Sequence, residues 1–144
     1  MDSCRRPVGG RRATAALMAL PLVVALSGCG AGAAQDEARA ASDAFVAEAA
    51  GDPPAACERL APETRRTLEE DSGAGCQDVI GGLGLTGAGA ARSVTVAGHS
   101  AQVRYAGDTV FLALFDDGWR VTAAGCERVS ADASEPYDCD VEGG

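Results

Sequence analysis

Apolar positions along this chain follow three successive patterns. Residues 13–26 (ATAALMALPLVVAL) form an uncharged run of fourteen. That is short of the roughly 20 apolar residues a bilayer-spanning helix needs, and it lacks the polar face of a core helix. From residue 36 the spacing becomes helical. Ala38, Ala41, Ala44, Phe45 and Ala49 form one stripe over 36–50. Asp36 and Glu37 suit the positive N-terminus, and Arg39 is spaced to pair with Asp43. Gly51 ends this helix. Asp52 as N-cap and Pro53 in the first turn open a second, which carries Cys57 and Leu60 inward and ends near Pro62. A third short helix is predicted over 64–70, with Leu68 as its apolar contact and Ser72-Gly73 as its stop. Cys76, Val79, Ile80 and Leu83 fall at i, i+3, i+4 and i+7, a fourth helix that Gly81-Gly82 weakens.

Beyond the small-residue connector 84–91 the period drops to two. Residues 93–97, 101–106, 109–115 and 119–123 read as strands. Ala97-Gly98-His99-Ser100, Gly107-Asp108 and Asp116-Asp117-Gly118 are the turns between them, and Asp-Gly pairs tolerate the positive φ that tight hairpins need. Consecutive hairpins make a meander. The expected class is α+β, with N-terminal helices packed on a C-terminal four-stranded antiparallel meander. Val110, Leu112 and Leu114 alternate with Phe111, Ala113 and Phe115, so both faces of the third strand are apolar. Either a helix and the C-terminal tail cover the two faces, or one face is left for a partner or a second copy.

The first apolar run has its own context. Arg5, Arg6, Arg11 and Arg12 precede it, and small residues close it. A basic segment, a short apolar segment and a small-residue end are the parts of a secretory signal peptide. Leu26-Ser27-Gly28-Cys29 follows directly and resembles the lipobox of bacterial lipoproteins at all four positions. The resemblance implies a diacylglyceryl group on the Cys29 sulfur and cleavage just before it, where Ser27 and Gly28 offer a peptidase no bulk. Arg5-Arg6 lacks the hydrophobic pair that twin-arginine signals carry after it, so general secretion is expected. The implied organisation is a signal peptide over 1–28, a lipidated tether over 29–35, one domain over 36–140 and a frayed end over 141–144. Extended, the six small residues after Cys29 reach at most ~20 Å, which keeps the domain near the extracytoplasmic face of the cell membrane.

Charge narrows the partners. Of twelve basic residues, all arginine, four lie in the first 28, as does one of 21 acids; the remainder carries eight against 20, a formal −12. Such a surface repels nucleic acid and anionic headgroups. Cys4 leaves with the leader and Cys29 is taken by the lipid, so Cys57, Cys76, Cys126 and Cys139 remain, an even number suited to an oxidising compartment. Four cysteines allow three pairings. Cys57–Cys76 and Cys126–Cys139 are favoured because each pair flanks its own local segment. With no CxxC and His99 the sole histidine, no zinc site is expected.

FVAEAAGDPPAACERLAP (45–62), DDGWRVTAAGC (116–126) and PYDC (136–139) carry a resemblance to small actinobacterial lipoproteins of the cone-shaped NTF2-like kind. No early strand is legible between the helices, so a shortened cone is expected. The resemblance implies an apolar pocket between helix and curved sheet, here with Phe45, Tyr105, Phe111 and Trp119 as its lining. Some members are isomerases or dehydratases that use Asp or His in that pocket. In this chain His99 falls in a turn, as a surface histidine, and Asp108, Asp116 and Asp117 fall in turns, where aspartate belongs for backbone reasons; Asp43, on the first helix near Phe45, is the one acid that could face a cavity. No Ser-His-Asp set, phosphate loop or cofactor motif stands out. The leading expectation is a non-catalytic lipoprotein that binds a small apolar molecule or lipid. A docking module for a neighbouring membrane protein is its rival, and an NTF2-like enzyme a third reading.

Overall fold

The computed structural model describes residues 29–85, 89–132 and 136–143. The leader expected over 1–28, including Ser27 and Gly28, lies outside the described residues, as do the side chain of Cys29 and Gly144 at the end of the expected frayed segment.

Four helices precede the sheet: α1 (Cys29–Gly51), α2 (Pro53–Arg59), α3 (Pro62–Ser72) and α4 (Cys76–Gly82). The expected tether over 29–35 is the first two turns of α1, a correction that follows from its alanines, the residues that cost a helix least. Ala38 is the first fully buried residue of α1. Asp52 caps α2, its carboxylate accepting the Ala55 N–H at 3.4 Å, and Pro53 sits in the first turn. Gly73, at φ +66°, ends α3 in the left-handed region, where a side chain would cost energy.

The chain then forms β1 (Ser93–Ala97), β2 (Ser100–Arg104), β3 (Thr109–Phe115), β4 (Gly118–Arg128) and β5 (Tyr137–Glu142), one antiparallel meander in that order. The sheet thus has five strands, not four. In YDCDVE the acids alternate with Tyr137, Cys139 and Val141, a period of two, but aspartate is poor in strands and obscured it. Val141 is fully buried in the core, and the Gly143 N–H bonds the Thr122 carbonyl at 3.0 Å. Residues 141–143 of the end expected to fray are therefore paired. Where β5 stops, Leu60 and Ala61 take over the edge of β4, with the Ala61 N–H on the Val121 carbonyl at 2.7 Å.

One face of the sheet carries the core. Val103, Val110, Leu112 and Val121 meet Phe45 of α1 and Ile80 of α4, all essentially inaccessible. Cys57 is bonded to Cys76, tying α2 to α4, and Cys126 to Cys139, tying β4 to β5; this is the pairing read from the sequence. Two such bridges belong to a chain folded in an oxidising, extracytoplasmic environment. No helix of the described residues is long and apolar enough to cross a membrane. Glu48 of α1 and Arg59 of α2 form a forked pair at 2.5 and 2.7 Å. That contact holds the Glu48 carboxyl below its ordinary range.

Candidate functional site

The second face of β3 is differently placed. Alternation turns Phe111, Ala113 and Phe115 away from the core that takes Val110 and Leu112. The tail does not cover this face, because it pairs beside β4 as β5. Tyr137 reaches across, its ring meeting Phe111 edge-on at 5.0 Å between centroids. Its oxygen accepts hydrogen bonds from the Gln102 amide and the Arg128 guanidinium, each at 3.0 Å. Burial works to raise the phenol's pKa, but those donors and the Arg104 charge outweigh it and hold the group below its ordinary value.

The result is an open groove of about 490 Å³ between the start of α3 and the outer side of the sheet, floored by Phe111, Ala123 and Tyr137 and rimmed by Phe115. Two acids, Glu63 and Glu142, line it; Glu63 is paired with Arg66, and the Arg128 guanidinium stands over the Tyr137 ring. Phe115 at its rim is 41 % exposed, whereas Leu114, 38 % exposed, points to the opposite face of the strand.

A second, polar arrangement ties α1 to the end of β2. The Tyr105 hydroxyl donates to Asp43 Oδ1 at 2.6 Å, and Ser42 Oγ lies 2.8 Å from the same phenol oxygen. Tyr105 has a single proton and it points at Asp43, so the Ser42 hydroxyl donates to Tyr105. Ser42 is wholly buried. Burial first, and then the bonded carboxylate, push the Tyr105 phenol well above its ordinary pKa, so it remains a donor. The ion pair expected between Arg39 and Asp43 does not form; Asp43 takes the tyrosine instead. Ser42 carried no signal in the sequence beyond its place beside the apolar stripe.

The four residues expected to line one pocket are divided. Phe45 is sealed in the core, Tyr105 is buried at the α1 contact, and Trp119 packs against the core from the first part of β4. The buried indole N–H of Trp119 meets no acceptor among the described residues. Phe111 is on the opposite face, in the groove. They do not share a cavity, because successive residues of a strand point to opposite faces and large side chains from helix and sheet fill the space between.

The turn residues are as mundane as their positions imply, with one exception. His99 is an exposed turn residue whose carbonyl accepts the Leu114 N–H at 2.8 Å. Asp117 pairs with Arg120 at the β3–β4 turn. Asp108 instead turns inward, and its carboxylate accepts the Cys126 N–H at 3.0 Å. Burial raises its pKa, and the nearby Asp140 charge adds to the rise.

No family model, curated protein or solved structure matches this chain.

Proposed function

We propose that this protein is a non-catalytic, lipid-anchored extracytoplasmic lipoprotein whose outer sheet face docks a neighbouring membrane protein. The observation that carries the reading is the open, aromatic-floored groove with Phe115 exposed at its rim. In a molecule of formal charge −9 over its full length, such a groove favours one kind of occupant. It suits a partner segment that presents apolar side chains flanked by lysine or arginine. Apolar burial supplies the attraction, while the molecule's net negative charge steers the encounter and rejects acidic competitors. The pocket-binding alternative has less support, since Phe45 is sealed in the core and Phe111 lies on the opposite face, so the expected lining residues do not share one cavity.

The anchor rests on the basic leader and the Leu26-Ser27-Gly28-Cys29 motif, and the two disulfides agree with export. A lipid on Cys29 would meet a helix rather than a flexible tether. From Cys29 to Ala38 the helical rise gives a stem of ~13 Å. The helices-then-meander order accords with a shortened NTF2-like cone, though the docking reading does not depend on that kinship. The test uses membranes extracted in mild detergent and run on native gels. The wild-type chain should migrate in a complex larger than its monomer, and Phe115→Asp or high salt should return it to the monomer. A wild type that runs as a monomer, or a complex indifferent to Phe115→Asp, overturns the reading.

A further inference from the structure

We propose a second binding site on this molecule, in the groove beside α1, for a small organic cation: an ammonium or guanidinium group on an apolar body. The groove holds about 430 Å³, within the range of small-molecule sites. It shares no residue with the outer groove. Val46, Ala47 and Ala50 of α1 form one wall, Ala90 the other, and Tyr105 and Asp43 stand at one end.

Three observations fix the ligand's chemistry. First, among the described residues Asp43 is the only charged one that lines the groove. Second, no guanidinium among the described residues pairs with it: the ion pairs run between Glu48 and Arg59, within the Arg65 and Arg66 clusters, and between Asp117 and Arg120. Third, the carboxylate is held in place. Tyr105 bonds Oδ1 at 2.6 Å, and the buried Ser42 bonds Tyr105 in turn, which leaves Oδ2 outside that network. A fixed carboxylate with one oxygen to spare, set among alanine and valine, is complementary to a charged N–H donor with a hydrocarbon attached. It does not serve an anion, and it gives an alcohol of the same shape a weaker, uncharged bond. The small wall residues leave the volume that the body of the ligand fills.

The site is tested by calorimetry with 2-phenylethylammonium at low salt, against 2-phenylethanol and 3-phenylpropanoate as neutral and anionic counterparts. The ammonium should bind in the millimolar range or tighter, at least about tenfold more tightly than the alcohol, and the carboxylate should not bind. Asp43→Asn should abolish the preference for the cation. Because Asp43 also ties α1 to β2, a second variant separates binding from folding. Ala47→Leu, at an exposed helical position, fills the groove and leaves Asp43 and Tyr105 intact, so it should remove binding while thermal unfolding stays near wild type. Equal affinity for ammonium and alcohol overturns the proposal. So does ammonium binding that survives Ala47→Leu, or no saturable binding of the ammonium at all.

Discussion

Tyr105 donates its phenol proton to Asp43 at 2.6 Å across 62 residues of chain, a polar link between the first helix and the end of the second strand beside their apolar packing. Buried Ser42 depends on the same oxygen. Removing the hydroxyl therefore leaves a wholly buried serine without a partner, and an orphaned buried polar group costs about 1–3 kcal/mol. Tyr105→Phe should lower the unfolding free energy by that amount in urea titration. Ser42→Ala added to Tyr105→Phe should recover part of the loss, because it removes the orphan.

Asp108 makes stability depend on pH. Burial raises its folded-state carboxyl above the unfolded value. Between the two values the native chain holds more protons, so this group's contribution falls as pH rises through that window and returns on acidification. Asp108→Asn keeps the oxygen that accepts the Cys126 N–H and removes the buried charge. The variant should be more stable than wild type near neutral pH, with the difference closing as pH falls below the unfolded value. Glu48 runs the other way. Its pKa is lowered by the Arg59 pair, so its contribution is present above the unfolded value and is lost as pH falls through the folded one. Thermal unfolding from pH 3 to 8 for wild type, Asp108→Asn and Glu48→Gln separates the two slopes.

The two disulfides should differ in weight. Cys57–Cys76 closes a separation of 19 residues and joins two helices, whereas Cys126–Cys139 closes 13 and joins strands already paired. The chain-entropy model gives each about 3 kcal/mol. Paired Cys→Ala replacement should therefore cost more at 57 and 76 than at 126 and 139, where the ladder persists without the bridge. Chemical denaturation of the two double variants measures the difference.

Gly125 has a sharper requirement. Its φ is +66°, and a Cβ there would lie 2.5 Å from the Asp140 carboxylate oxygen and 2.9 Å from Leu85. Gly125→Ala should destabilise by more than about 1 kcal/mol, seen as a lower Tm. Gly82→Ala, with nothing within 4 Å of its Cβ, should be neutral or mildly stabilising.

Local signals in the sequence located most of the elements. The Asp52-Pro53 cap, the Gly73 stop, the Cys76–Leu83 spacing and the Asp-Gly hairpin all depend on neighbours within a few positions. The features that were missed depend on distant partners. Tyr137 joins the outer face through Gln102, 35 residues away, and Ser42 finds its partner 63 residues on. The division of Phe111 from Phe45 and Trp119 was written in the alternation of β3, but alternation alone does not say which face the helices take. Asp43 was legible only as an acid on the first helix near Phe45; it is exposed at the edge of an open groove, and its bond to Tyr105 in place of Arg39 required the fold.

The docking claim is tested most directly by a photo-crosslinking amino acid at position 115, with the protein lipidated in its own membrane. Irradiation should yield one adduct with a different polypeptide, mapped to a segment with apolar residues beside lysine or arginine. Phe111→Asp in the same chain should remove that adduct while the protein stays folded and anchored. Adducts to lipid alone or to a second copy, or an adduct that persists with Phe111→Asp, would contradict the account.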